Sequence, residues 1–495
     1  MSLHHRLSGE PDALYESLPQ ESPNEHIRLS SESEFEDEEE ALAEDFVAQE
    51  VVATADARVR WIYFVLGCAV LLPWNALITA TPFFRSRLEG SSLQSTFASY
   101  LSAAFTIANF FFLAHATVTS NQATSANRAL WSMFILSFLM FSLTMSTYVR
   151  ISPGTFFGFV LLNGIAQAAA GSYLQTSVVA VASLFGPAAM QSIMSGQAAV
   201  GVAVSAVQVI SSATATRDSP PRPSISGSEP EEDSAFAFFG ISTAFFLISA
   251  IAYSTLIGLP AYRAVIDRFK HANDVTHGDM FHDNLDMGVS SSAISIPAEK
   301  KEQIIRVSKA NMIYYIAVAY VFVVTLSVFP PITVLIVSTN PGVHPLLFSA
   351  FHFFVFNVGD FSGRYMCSIQ RIQIWSEKRL FGLSLARTLF IPLFLMCNIQ
   401  RSSPSILGPR TPIINSDIFY MFILLLFGVS NGYISSLCMM AAPSVEHNPR
   451  LKGKVEDVDV AATLANFFLV GGLAVGSFAS FGVSAAVCNC NPFVQ

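Results

Sequence analysis

From Val59 onward the chain is built of long apolar stretches separated by short polar connectors. Each stretch is long enough to cross a bilayer as a helix, since ~20 residues rising 1.5 Å apiece cover ~30 Å of hydrocarbon. The pattern predicts eleven such spans. Six come first: Val59–Phe84, Thr96–Val118, Ala129–Val149, Gly154–Leu184, Ala188–Ala213 and Ala235–Leu259. A polar stretch, Pro260–Ser308, follows. Five more complete the chain: Ala310–Val337, Leu346–Ile369, Leu380–Asn398, Asp417–Ala442 and Val460–Val487. The expected fold is an all-α polytopic membrane protein in a six-plus-five, two-bundle arrangement. Its expected divisions are an acidic tail (1–57), a six-helix bundle (58–260), a linker (261–308) and a five-helix bundle (309–495).

Polar residues inside these spans carry the candidate chemistry. The eighth span contains Asn357, Asp360 and Arg364. Spacings of three and four residues put them on one helix face, where the two charges partly neutralise each other. An ionised side chain at bilayer depth costs roughly 2.5–3.5 kcal/mol or more, so this stripe must face protein or water rather than lipid. The first span carries Pro73, Trp74 and Asn75. Proline bends the helix and frees carbonyls, tryptophan offers a flat face for a ring, and asparagine offers a donor and an acceptor. An interfacial tryptophan beside a structural kink is the competing reading. In the fourth span Gln175 follows Gly171 by four residues, which sets open space beside an amide. A glutamine there more often bonds a neighbouring helix than a ligand. Met194–Gln197, Ser430–Tyr433, His115, His352 and Arg387 are further polar notches; the histidines read as packing residues, and Arg387 needs an internal ion pair or carbonyl clamp.

Composition narrows the class. Of 495 residues, 52% are hydrophobic and only 13% charged, which excludes an ordinary soluble domain. The net charge of −9 belongs mainly to the tail before Asp56, with its run Glu32–Glu40. The first residues lack the apolar core of a secretory signal. Within the tail, Tyr15–Leu18 fits a tyrosine-based sorting pattern, so an adaptor is a candidate partner. Lysine and arginine flank the spans sixteen to seven in favour of the side bearing the N-terminus. That bias predicts a cytosolic N-terminus. Four of six cysteines sit in apolar runs, which argues against a disulfide framework. No phosphate loop, metal spacing or nucleophile–base pair stands out. No catalytic residue, metal, cofactor or nucleic-acid partner is therefore expected, only a lipid bilayer and a solute.

Taken together, Pro73–Asn75 (PWN), Met194–Gln197 (MSGQ), Thr325–Val334, Phe356–Arg364 (FNVGDFSGR), Ala386–Phe394 and Ser430–Met439 resemble the equilibrative nucleoside transporter family. The resemblance covers about Arg58 to Val487 and implies eleven helices similar to the major facilitator fold. It implies nucleoside passage, and nucleobase passage in some members, by alternating access. It places Trp74 and Gln175 beside the base, and Asp360 and Arg364 beside the ribose hydroxyls. A planar guanidinium suits a vicinal diol, and the carboxylate orients it. Gates on the outer side map to Asn75 with Phe353 and to Ile78 with Pro330. The short connector Arg85–Ser95 and the acidic tail depart from plasma-membrane relatives and point to a vacuolar or lysosomal membrane. The competing functions are a carrier for another small polar solute, a proton-coupled nucleobase carrier, and a receptor or scaffold whose spans pack shut.

Overall fold

A computed structural model describes residues 57–91, 93–94, 96–215, 230–278, 298–399 and 412–488. The acidic tail, with its Tyr15–Leu18 pattern, lies outside them, as does Cys490. The first half comprises α1 (Ala57–Thr79), the short α2 (Thr81–Arg87), α3 (Phe97–Val118), α4 (Gln122–Ser146), α5 (Pro153–Ser183), α6 (Gly186–Ala215) and α7 (Pro230–Gly258). An amphipathic helix, α8 (Pro260–Gly278), follows. The second half comprises α9 (Ala298–Val328), α10 (Pro345–Met366), α11 (Glu377–Ala386), α12 (Phe390–Leu395), α13 (Asp417–Ala441) and α14 (Val458–Cys488).

Ten helices among the described residues are long and apolar enough to cross a membrane. The expected ninth span, Leu380–Asn398, is not one of them. Its helix is interrupted after Ala386 by a 3-10 turn, Arg387–Leu389, and resumes as α12. The polar stretch after Leu259 is also more ordered than its composition suggests. Tyr262, Val265 and Phe269 of α8 are buried at helical spacing, and the Tyr262 ring stacks on Phe185 at 5.7 Å. The seventh span likewise begins a dozen residues early, because the charged segment from Ala298 continues the helix.

Local chemistry sets the helix ends. Ser152 caps α5 by accepting from the Thr155 N–H, with Pro153 at the first helical position. The His344 ring caps α10, again followed by proline. Between α5 and α6 the chain reverses at Gly186, whose φ of +77° favours glycine.

Helices α1 to α7 pack mainly on one another, as do α9 to α14. The halves meet where α6 lies against α10 and α13, and where α14 lies against α3 and α5. Closest approach depends on glycine. A Cβ on Gly432 of α13 would stand 2.0 Å from the Asp360 carbonyl oxygen, and one on Gly363 of α10 would stand 2.1 Å from that of Val429. These two helices therefore touch backbone to backbone, which brings Asn431 up to Asp360.

Candidate functional site

Asp360 is 6% exposed, and both of its carboxylate oxygens are bonded. Oδ2 accepts from Arg364 Nε at 2.8 Å, one helical turn on, as the spacing predicts. Oδ1 accepts from Asn431 Nδ2 at 2.6 Å. The network extends beyond Asn431. Thr325 of α9 donates to Asn431 Oδ1 at 2.7 Å, and Arg387 Nη2 donates to Thr325 Oγ1 at 2.8 Å. Arg387 is 1% exposed. It also donates to the Phe427 carbonyl at 3.0 Å and to Ser430 Oγ, with its guanidinium 4.5 Å from the Phe427 ring. Of the ion pair or carbonyl clamp expected for Arg387, the structure shows the clamp. One carboxylate thus serves two guanidiniums, one directly and one through Asn431. Such a shared arrangement offsets part of the desolvation that an isolated buried ion would incur.

Arg364 also leaves its own half. Its Nη1 donates to the Met194 carbonyl of α6 at 3.1 Å, while Gln191 Nε2 donates to the Arg364 carbonyl at 3.2 Å. The MSGQ segment therefore meets the charged helix at Met194, whose carbonyl accepts from the Arg364 side chain. Asn357, the third member of the stripe, donates to the Phe353 carbonyl at 3.0 Å. Its side chain fills the space beside Gly201, where a Cβ would come within 2.7 Å of Oδ1.

Gln175 projects from α5 beside Gly171, at which an added Cβ would meet nothing within 4 Å. Its Nε2 bonds Asn466 Oδ1 of α14 at 2.7 Å, a second tie between the halves. Other amides of α5 bond within the first half: Gln167 donates to Asn163, which donates to the Leu139 carbonyl and Ser142. Trp74 is half-buried beside Pro73, which lies inside the continuous helix α1, with its ring 4.6 Å from that of Phe105.

The residues expected to form gates are in part exposed, and the contacts given for Asn75 and Phe353 lie within their own halves. Ile78 is 43% exposed, and Pro330 is exposed too. Asn75 donates to the Leu71 carbonyl of its own helix, and Phe353 packs against Phe329 and His352. Ties between the halves gather toward the other end, where α1 begins. They include Arg364 to Met194, Gln191 to the Arg364 carbonyl, Gln175 to Asn466, Phe110 against Phe467 at 5.6 Å, and Lys300 to the Ser120 carbonyl. Of the lone histidines, His115 bonds Tyr173 Oη at 2.8 Å, as a packing residue would. His352 differs, because its buried Nε2 has no partner among the described residues. A groove of about 440 Å³ lined by Thr119, Arg128, Trp131 and Tyr173 lies away from these side chains.

A nucleoside transporter family model matches residues 163–485, about two thirds of the chain. The chain belongs to the equilibrative nucleoside transporter family. It is similar to Equilibrative nucleoside transporter 1 of Rattus norvegicus, at 28% identity over 86% of this chain and 96% of the relative. It is also similar to Equilibrative nucleoside transporter 2 of Homo sapiens, at 29% identity over 85% and 95%. Among solved structures it is similar to the major facilitator superfamily proton:xylose symporter XylE, with a TM-score of 0.48 and 13% identity, covering 90% of this chain and 92% of that one. These relatives are transporters, not enzymes, and family membership makes the chain a multi-pass membrane protein.

Sequence reasoning singled out Asp360 and Arg364 but missed what surrounds them. Asn431 stood in a recognised polar notch, yet nothing local linked it to Asp360. Asn466, in an otherwise apolar run, carried only the weak signal of a lone amide.

Proposed function

We propose that this chain carries nucleosides across a membrane by alternating access. In this reading the base lies between Trp74 and Gln175, with the ribose at Asp360 and Arg364. The observation that carries it is the buried Asp360–Arg364 pair, whose arginine also reaches across to Met194 of the other half. A diol that engages Arg364 and Asp360 sits where the two halves meet, so its binding can bias their relative position. The Trp74 face is suited to a base, because stacking on an aromatic ring is worth about 1–3 kcal/mol and tolerates different bases. Asn357 lines the same stripe. Asn75 with Phe353 and Ile78 with Pro330 are proposed as the gates on the open side.

The lysine and arginine bias supports a cytosolic N-terminus. On that orientation the closed end, with its ties between the halves, faces the cytosol. An internal acidic membrane is the proposed location, with an adaptor read at Tyr15–Leu18. Proton coupling is part of the same proposal.

The test is flux of radiolabelled adenosine and uridine into proteoliposomes carrying the purified protein, at two internal pH values. Saturable uptake of either is expected, and absence of uptake for every nucleoside and nucleobase would sink the function. Uptake indifferent to a pH gradient removes proton coupling while leaving the carrier reading intact.

A further inference from the structure

Gln175 and Asn466 join the two halves through one amide–amide hydrogen bond of 2.7 Å. The bond links the halves whichever amide end is taken as donor. Asn466 is 1% exposed, and its Nδ2 has no partner among the described residues. The two residues that follow it are held by rings: Phe110 of α3 packs on Phe467, and Tyr315 of α9 stacks on Phe468 at 5.1 Å. Gln175, by contrast, is only half-buried and has the open space of Gly171 beside it. One partner of the bond is thus part-exposed beside open space, and the other is fully buried.

We propose that Asn466 is a positioning residue for transport. It holds Gln175 in the unloaded carrier and surrenders it to the nucleobase, so that substrate binding loosens the join between the halves. The proposal rests on the reading of Gln175 as a base ligand. The N–H that Gln175 gives to Asn466 is not available to a base at the same time, so a base that needs it must take it from Asn466. A base that wins leaves Asn466 buried with its whole amide unpaired, and an unsatisfied buried polar group is costly. Separation of α5 from α14 admits water and relieves that cost. The loaded carrier therefore has a smaller barrier to opening this end than the unloaded one, as a ligand with differential affinity for two states requires. Arg364 is tied in the reciprocal sense, from the second half to the Met194 carbonyl of the first.

The experiment compares adenosine exchange with net adenosine efflux in proteoliposomes. In the wild type, exchange is expected to outpace net flux, because the unloaded carrier must break the Gln175–Asn466 bond unaided. Asn466→Ala should speed net flux toward the exchange rate and lower the adenosine KM by about fivefold, the factor one neutral hydrogen bond contributes. Asn466→Asp keeps the shape and makes the bond charge-assisted, so net flux should slow and KM should rise. Opposite shifts in the two variants are a signature that lost packing does not produce. Proportional loss of exchange and net flux in both variants, with KM unchanged, would overturn the proposal. So would a wild type in which the two fluxes are equal. A Gln175→Ala control separates the two readings. An unchanged adenosine KM there overturns the base site and the Asn466 role together, whereas a raised KM there with an unaltered flux ratio in Asn466→Ala overturns the Asn466 role alone.

Discussion

Arg364 donates through Nη1 to the carbonyl of Met194 at 3.1 Å, so an arginine of the second half is held by the backbone of the first. The same guanidinium uses Nε for Asp360. The segment that carries Met194 is packed tightly onto α1. A Cβ on Gly196 would stand 2.0 Å from the Phe64 carbonyl oxygen. The charged pair is therefore an element of the join between halves as well as the proposed sugar site.

Arg364→Lys keeps the charge and loses the fork. A lysine ammonium has three donors but on one nitrogen, so it lacks the planar fork that holds Asp360 at Nε and Met194 at Nη1. Adenosine flux in proteoliposomes should fall by about tenfold or more while the protein still elutes as a folded species. Wild-type flux in this variant would remove Arg364 from the site.

Arg387→Ala removes a cation that lies 1% exposed and bonded to Phe427, Ser430 and Thr325. Breaking a buried charged network of this kind costs about 3–5 kcal/mol. The expected outcome is a marked drop in Tm in detergent, larger than that of a surface Arg→Ala variant such as Arg371→Ala. Equal Tm for the two variants would refute a structural role for Arg387.

Gly432→Ala places a methyl 2.0 Å from the Asp360 carbonyl oxygen and 2.9 Å from the Arg364 nitrogen. Overpacking costs typically about 1–3 kcal/mol, here by prising α13 from α10 and Asn431 from Asp360. Tm and nucleoside flux should fall together. Gly171→Ala is the contrast, since nothing lies within 4 Å of the added carbon, and its Tm should stay near that of the wild type.

Trp74→Ala should raise the KM for adenosine by about fivefold to a hundredfold, from the ~1–3 kcal/mol that base stacking supplies. Trp74→Phe, which preserves a flat face, should recover most of that loss. A KM insensitive to both variants would return Trp74 to a purely structural role against Phe105.

Several features were legible without coordinates because they are local. Hydropathy over windows of about 20 residues marks a membrane helix wherever it occurs. The i, i+4 spacing alone puts Asp360 and Arg364 on one face, and the structure pairs them at 2.8 Å. The expected ion pair or carbonyl clamp on Arg387 followed from the cost of an unpaired cation at bilayer depth, without knowledge of which partner. The ninth span was less readable. Its apolar composition suits a continuous helix, and only packing reveals the turn at Arg387–Leu389 that aims the guanidinium at Phe427 and Thr325.

By itself, then, the order of residues determined ten membrane helices among the described residues and the presence of a neutralising charged stripe, since each depends on neighbours a few positions apart. Only the tertiary structure decided that Asp360 answers to Asn431, that Arg364 is tied to Met194, and that Gln175 is tied to Asn466. Those pairings depend on which helices lie together, which spacing along the chain does not encode; for Asp360 and Asn431 the close approach is made at glycines of α10 and α13.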